Sequence, residues 1–271
     1  MPSALSVVMI GRDEATIISR ALASIVPVAS QIVFVDTGSS DETPDLARRF
    51  GAEVVEFQWI DDFSAARNAG LEQARQPWVL ALDCDEELVA QDSTAGGINA
   101  CCREARAPAF VVEIDNSQRN GTVSRHQALR LFRNDPRIRF SNPVHESVAD
   151  SIYTHWPAQV IPVAPFRLLH HGYASGKNAE KLERNLTIMR LWLEREPLNI
   201  YASYKYGVSL QHLGKPDALE WLGRGFELLD RRPDKATFPF GRALGEAYLA
   251  CLERYGVHSE AQIVRERVKS W

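Results

Sequence analysis

The sequence predicts an α/β fold: a mostly parallel sheet with helices on both faces, followed by a helical extension. Three observations predict it. Short β-branched runs alternate with amphipathic stretches through the first eighty-odd residues. Acidic residues stand just after the ends of those runs, where the ligand edge of such a sheet lies. From Asn178 onward the apolar spacing is helical throughout. The 271 residues, 45% hydrophobic and 24% charged, exclude a disordered, collagen-like or fibrous chain. We read two domains, 1–176 and 177–271.

Leu5-Ser6-Val7-Val8-Met9-Ile10 is the first strand, ended by Gly11. Ile18, Leu22, Ile25 and Val26 share one face of a helix over about 15–29. Ile32-Val33-Phe34-Val35 is the second strand, and Asp36 to Asp41 is a turn-rich loop. Asp41 reads as the N-cap of a helix over Pro44–Phe50, with proline in its first turn. Glu53–Phe57, Ser64–Ala74 and Trp78–Leu82 continue as strand, helix and strand, which argues for a parallel sheet. The middle is less regular: Phe110–Ile114 and Ala128–Phe132 read as strands, while Pro157, Pro162 and Pro165 punctuate a loop. Leu182, Leu186, Met189 and Leu193 then share a helix face that ends before Pro197. Gly241 to Tyr248 fits tetratricopeptide spacing, with Tyr204 to Gly207 a looser copy about 37 residues earlier.

Residues 1–166 carry 14 Arg and no Lys against 22 acidic residues, a balance of −8. Residues 167–271 carry +4. An acidic first half excludes a nucleic-acid groove, which needs a basic stripe, and suits a divalent cation. Cys84, Cys101, Cys102 and Cys251 have no metal or disulfide spacing and read as reduced, apolar-like thiols. No charged and apolar leader opens the chain and no apolar run approaches bilayer length, so a cytoplasmic location is expected.

Arg12-Asp13-Glu14, Asp36 and Asp83-Cys84-Asp85 should meet at one sheet edge, and such like charges need a cation or a donor-rich ligand there. Asp83 and Asp85, two apart at a strand end, suit one hard cation. An Asp-x-Asp phosphatase nucleophile normally follows the first strand, and this one follows the fourth. A nucleotidyltransferase would place a glycine-rich basic loop after the first strand, whereas Gly11-Arg12-Asp13-Glu14 is acidic.

Val35-Asp36-Thr37-Gly38-Ser39-Ser40-Asp41-Glu42-Thr43, Phe63-Ser64-Ala65-Ala66-Arg67-Asn68 and Leu82-Asp83-Cys84-Asp85-Glu86 resemble family 2 glycosyltransferases of the GT-A fold. Leu129 to Asn134, Val144-His145-Glu146 and His170-His171-Gly172-Tyr173 resemble a branch of that family. The branch includes lipopolysaccharide-core glucosyltransferases, peptide glycosyltransferases and tetratricopeptide-fused enzymes. The resemblance spans about 4–190. It implies an inverting, metal-dependent transfer of sugar from a nucleotide sugar, UDP-linked, to a glycan, lipid-linked or peptide acceptor.

By that resemblance Asp36 reads the uracil, Arg12 and Glu14 line base and ribose, and Arg67 approaches the diphosphate or helps order the metal loop. Asp83 and Asp85 hold Mn²⁺ or Mg²⁺ with His170, and Asp85 is the direct ligand. Glu146 is the candidate base, with His145 beside it; Asp135 and Glu113 are alternatives, and an ion pair with Arg130 or Arg133 is the competing role for Glu146. Cys84 stands where the family has Asp or Ala and is expected to point into the sheet. A contact with the inner membrane face and a homodimer are left open as further partners. The rival reading is an inactive scaffold whose C-terminal helices grip a protein.

Overall fold

The computed structural model describes residues 4–89, 94–104, 106–117, 122–171 and 178–269. Two compact units divide the chain, Met1–Asn178 and Ala179–Trp271.

In the first unit β1 (Leu5–Gly11) pairs in parallel with β2 (Gln31–Asp36) on one side and β4 (Trp78–Asp83) on the other. β3 (Glu53–Glu56) extends the parallel set beyond β2. Because β1 is central, both its faces are covered: Leu5, Val7 and Met9 enter one apolar core, Val8 and Ile10 the other. α1 (Ile18–Ile25) buries Ile18, Leu22 and Ile25 in the first core. α2 (Thr43–Arg49) adds Ala47 to that core. α3 (Phe63–Gln73) buries Ala66 and Leu71 in the second. It lies close on the sheet, for a Cβ on Gly70 would stand 2.5 Å from Val8 Cγ1 and 3.0 Å from Val35 Cγ2. Arg67, one turn earlier on the same face, is carried to the strand ends.

The remaining elements are β5 (Glu86–Leu88), α4 (Thr94–Arg103), β6 (Ala109–Ser117), β7 (Val123–Arg133), α5 (Ala149–His155) and β8 (Val163–His170). Strand order is β3-β2-β1-β4-β7-β6-β8-β5. Four of the seven pairings are parallel; β4 with β7, β6 with β7 and β5 with β8 are antiparallel. Helices lie on both faces.

The structure extends the expected strands 110–114 and 128–132 to a long hairpin, and adds β5, α4, α5 and β8. β8 contains Pro165, which has no N–H to donate. The β6–β8 register shifts between Val111 and Glu113 opposite it, an irregularity that lets the ladder pass the proline. Gly97 in α4 packs on that same Pro165, 3.1 Å from where a Cβ would sit. α1 starts at Ile18 rather than about 15, because Ile17 and Ile18 N–H both donate to Glu14 O in a tight turn. α2 starts at Thr43 rather than Pro44, with Glu42 at the N-cap position making no side-chain cap bond, while the Asp41 carboxylate accepts from Thr43 N (2.9 Å).

The second unit contains α6 (Asn178–Arg195) from its second residue on, α7 (Ile200–His212), α8 (Ala218–Asp230), α9 (Gly241–Arg254) and α10 (His258–Lys269). α7–α8 and α9–α10 are consecutive helix hairpins, starting near the two tetratricopeptide-like stretches. Glycine permits their close packing: a Cβ on Gly207 would meet Leu222 Cγ at 2.7 Å. Among the described residues no helix is long and apolar enough to cross a membrane.

Candidate active site

The register of the parallel strands sets Asp36 beside Gly11 and Asp83 beside Ile10, so their loops leave one edge together. The loop after β1 is stitched to the loop after β2. Asp13, in the left-handed region (φ 54°), donates its N–H to Ser39 Oγ at 3.0 Å. Its carboxylate accepts from Ser40 N at 2.7 Å, and this backbone bond holds the carboxyl below its ordinary pKa. Glu14 N donates to Thr43 Oγ1 (2.8 Å). Asp36, 8% exposed, accepts from Ser39 N and Ser39 Oγ on Oδ1 (3.0 and 2.6 Å). Gly38, at φ 101°, makes the turn between them, a conformation that favours glycine. Arg12 is exposed, its Nε 3.6 Å from Asp13 Oδ2.

Behind these loops lies a buried charge network. Arg67, 4% exposed, donates from Nη2 to Asp83 Oδ1 (2.5 Å) and from Nε to Glu146 Oε1 (2.7 Å). Arg130 Nη2 donates to Asp83 Oδ2 and to Glu86 Oε1, both at 2.8 Å. Glu86 Oε2 accepts from Asp83 N (2.9 Å), closing the turn between β4 and β5. Cys84 points inward, its Sγ donating to Ile10 O, and burial pushes its thiol pKa up. Burial opposes ionisation of Asp83, but Arg130 and Arg67 outweigh it and hold its pKa well below the carboxylate range. Three carboxylates share two guanidiniums, and the surplus falls on Glu86: burial raises its pKa to about 7 against the pull of Arg130.

The family resemblance implies Asp83, Asp85 and His170 around one cation. Among the described residues no group of three metal-ligating side chains forms, because both Asp83 oxygens are drawn to guanidiniums. Asp85 and His170 do meet, with Asp85 Oδ2 3.4 Å from His170 Nε2. The β5–β8 pairing produces this contact, since it sets Glu86 opposite His170, and His171 N donates to Asp85 O (2.9 Å). The Asp85 hydrogen bond raises the His170 pKa against the effect of burial. Two donors about 2.1 Å from one cation at roughly right to tetrahedral angles stand ~3.0–3.4 Å apart. A carboxylate and an imidazole at this spacing therefore fit two positions of a divalent cation.

Glu146, expected as a base, is the second anion on Arg67 and not a partner of Arg130 or Arg133; its side chain is 13% exposed. It sits in a loop closed by an antiparallel bridge between Ser141 and Ser147. His145 is at that loop's exposed tip with φ 57°. Of the alternatives, Asp135 is paired bidentately with Arg137, whose side-chain bonds hold the Asp135 pKa at about 2, and Glu113 stands 3.7 Å from Arg125. Gly172 and Tyr173, the end of the His-His-Gly-Tyr motif, lie outside the described residues, as does the expected boundary at 176. Arg130 and Glu86 fall within the family-like motifs, but sequence reasoning gives neither a role at the carboxylate turn. For Arg130 a signal exists: it is the one charge between Leu129 and Leu131 on a strand that must bury one face.

A doubly faced α/β sheet with acidic loops and a carboxylate–imidazole pair at one edge is a GT-A-type fold. The sequence profile of glycosyl transferase family 2 matches residues 6–141, and the chain belongs to that family. It is 36% identical over 247 residues to a TPR repeat-containing protein of Synechococcus elongatus, covering 86% of this chain and 58% of that one. It is 25% identical over 232 residues to the SPbeta prophage-derived glycosyltransferase SunS of Bacillus subtilis (83% and 54% covered). The chain thus spans little more than half the length of these relatives. Among solved structures it resembles S. aureus TarS 1-349 in complex with UDP-GlcNAc, with TM-score 0.58, 16% identity and 98% and 91% covered. At that identity the likeness shows the fold.

Proposed function

We propose that this chain is the catalytic part of an inverting, metal-dependent glycosyltransferase that uses a UDP-linked sugar. One observation carries the reading: the Asp36 loop and the Asp85–His170 pair stand at the same carboxyl edge of one sheet. Asp36 accepts from the uracil N–H, and Arg12 and Glu14 flank base and ribose. Asp85 and His170 hold Mn²⁺ or Mg²⁺, which when bound neutralises charge on the departing diphosphate. Asp83, held by Arg67 and Arg130, fixes the turn that presents Asp85, and Glu146 orients Arg67. The SunS name supports glycosyl transfer, and the UDP-GlcNAc complex of TarS supports a nucleotide-sugar donor. The acceptor is a glycan, a lipid-linked saccharide or a peptide. The C-terminal helices form a tetratricopeptide-like domain from about residue 177.

Calorimetric titration with UDP, with and without Mn²⁺ and with GDP and dTDP as controls, tests this. Uracil-selective binding that tightens with Mn²⁺ and weakens in Asp36→Ala is expected. Equal affinity for the three nucleotides, or an Asp36→Ala variant that binds UDP normally, refutes the base-reading role.

A further inference from the structure

Asn116 is the last but one residue of β6, 8% exposed, and lies in register with Ser124 of β7 and His170 of β8. Its side chain meets three partners. Nδ2 is 3.2 Å from Ser124 O and 2.8 Å from His126 Nδ1, while Oδ1 is 2.9 Å from His170 Nδ1. A backbone carbonyl only accepts, so the atom facing Ser124 must be the amide nitrogen. The orientation of the amide is thereby fixed, and the atom facing His170 is the carbonyl oxygen. An oxygen there requires a hydrogen on His170 Nδ1. While Nε2 also carries a hydrogen it faces Asp85 Oδ2 at 3.4 Å; were a cation to replace that hydrogen, the one held on Nδ1 would leave the Nε2 lone pair for the metal.

We propose that Asn116 is a positioning residue for the cation site: it fixes His170 as the Nδ1–H tautomer, so that Nε2 is presented beside Asp85 as a donor. The inference rests on the metal-dependent reading above and assigns a residue that reading leaves out. Ligating histidines are commonly oriented by an acceptor on the second ring nitrogen, and loss of that acceptor costs 10–100-fold in metal affinity. His126 assists by accepting the other amide hydrogen, which holds the carboxamide plane. Asn116 lies on a strand distant in sequence from both Asp85 and His170, and only the sheet order brings the three together.

Two measurements on the full chain test it. Two-bond ¹H–¹⁵N correlation of ¹⁵N-histidine-labelled protein, in mildly alkaline buffer with UDP and Mg²⁺ and assigned by loss in His170→Asn, reads the tautomer directly. The expected spectrum shows His170 protonated on Nδ1; protonation on Nε2 overturns the assignment. Manganese titration by electron paramagnetic resonance, in the presence of UDP, should show Asn116→Leu binding Mn²⁺ about 10–100-fold more weakly. Unchanged Mn²⁺ affinity in a folded Asn116→Leu variant overturns it as well. If wild-type protein binds no Mn²⁺ while His170 carries its proton on Nδ1, the metal-dependent reading falls and the tautomer assignment stands.

Discussion

Glu86 should make the first unit less stable as pH rises through neutrality. Its carboxyl is 2% exposed and shares Arg130 with Asp83, which has a second guanidinium of its own. Burial therefore raises its pKa from 4.5 to about 7. A carboxyl raised on folding favours the folded state below its unfolded pKa, and that advantage is lost as pH climbs through the folded value. At about 1.36 kcal/mol per pH unit between the unfolded and folded values, the loss across this window is about 3 kcal/mol. Asp83 and Asp135, whose pKa values are lowered, act only in more acid solution: their contributions are complete above about 3.8 and fade as pH falls below it. His170, raised above 6.5, works in the same direction as Glu86, so a variant is needed to separate them. Urea denaturation from about pH 5 to about pH 8 should show stability falling with pH in the wild type, and a shallower slope in Glu86→Leu. A wild-type profile that is flat or rising refutes the reasoning, as does a Glu86→Leu variant with the same slope.

Asp85→Ala should abolish the Mn²⁺-dependent part of UDP affinity and leave metal-free binding intact; calorimetry with and without the ion reads both, and retained Mn²⁺ enhancement would assign the cation elsewhere. Gly70→Ala forces a methyl to within 2.5 Å of Val8 Cγ1 and pushes α3, with Arg67 on it, off the sheet. A cost of about 1–3 kcal/mol is expected, read as a melting temperature roughly 2–10 °C lower. An unchanged melting temperature would show that the helix yields more easily than its packing implies.

Local pattern was enough for the first half of the sheet. β1, β2 and β4 are continuous apolar runs because they are buried on both faces, and the acidic residues that end β2 and β4 mark in the sequence the edge where the loops leave the sheet. Cys84 faces inward as its position implies, since a thiol between two carboxylates on a turn has only the sheet to pack on. The long β6–β7 hairpin is legible only in part, because its outer residues, from Val123 to Gln127, are exposed and carry no apolar period. β8 is hidden by Pro165, which forbids a regular ladder and is tolerated only where the β6–β8 register slips.

What the sequence determined by itself is the inventory: the family-like motifs, the parallel core, the acidic edge, and the helical C-terminal stretch. These follow from periods of two and 3.6 residues and from turn chemistry, all of which act over short distances along the chain. Only the tertiary structure decided the pairing of charges. Arg67 on α3, Arg130 on β7 and Glu146 in a loop lie at sequence separations of 16 to 79 residues from the groups they bind. Which carboxylate wins which guanidinium depends on burial and on distances of a few ångströms, and no local pattern encodes them. That competition pairs both Asp83 oxygens with guanidiniums, while Asp85 meets His170. The sheet then sets Asn116 behind the histidine, because strand order, not proximity in the chain, chooses the neighbours of a strand end.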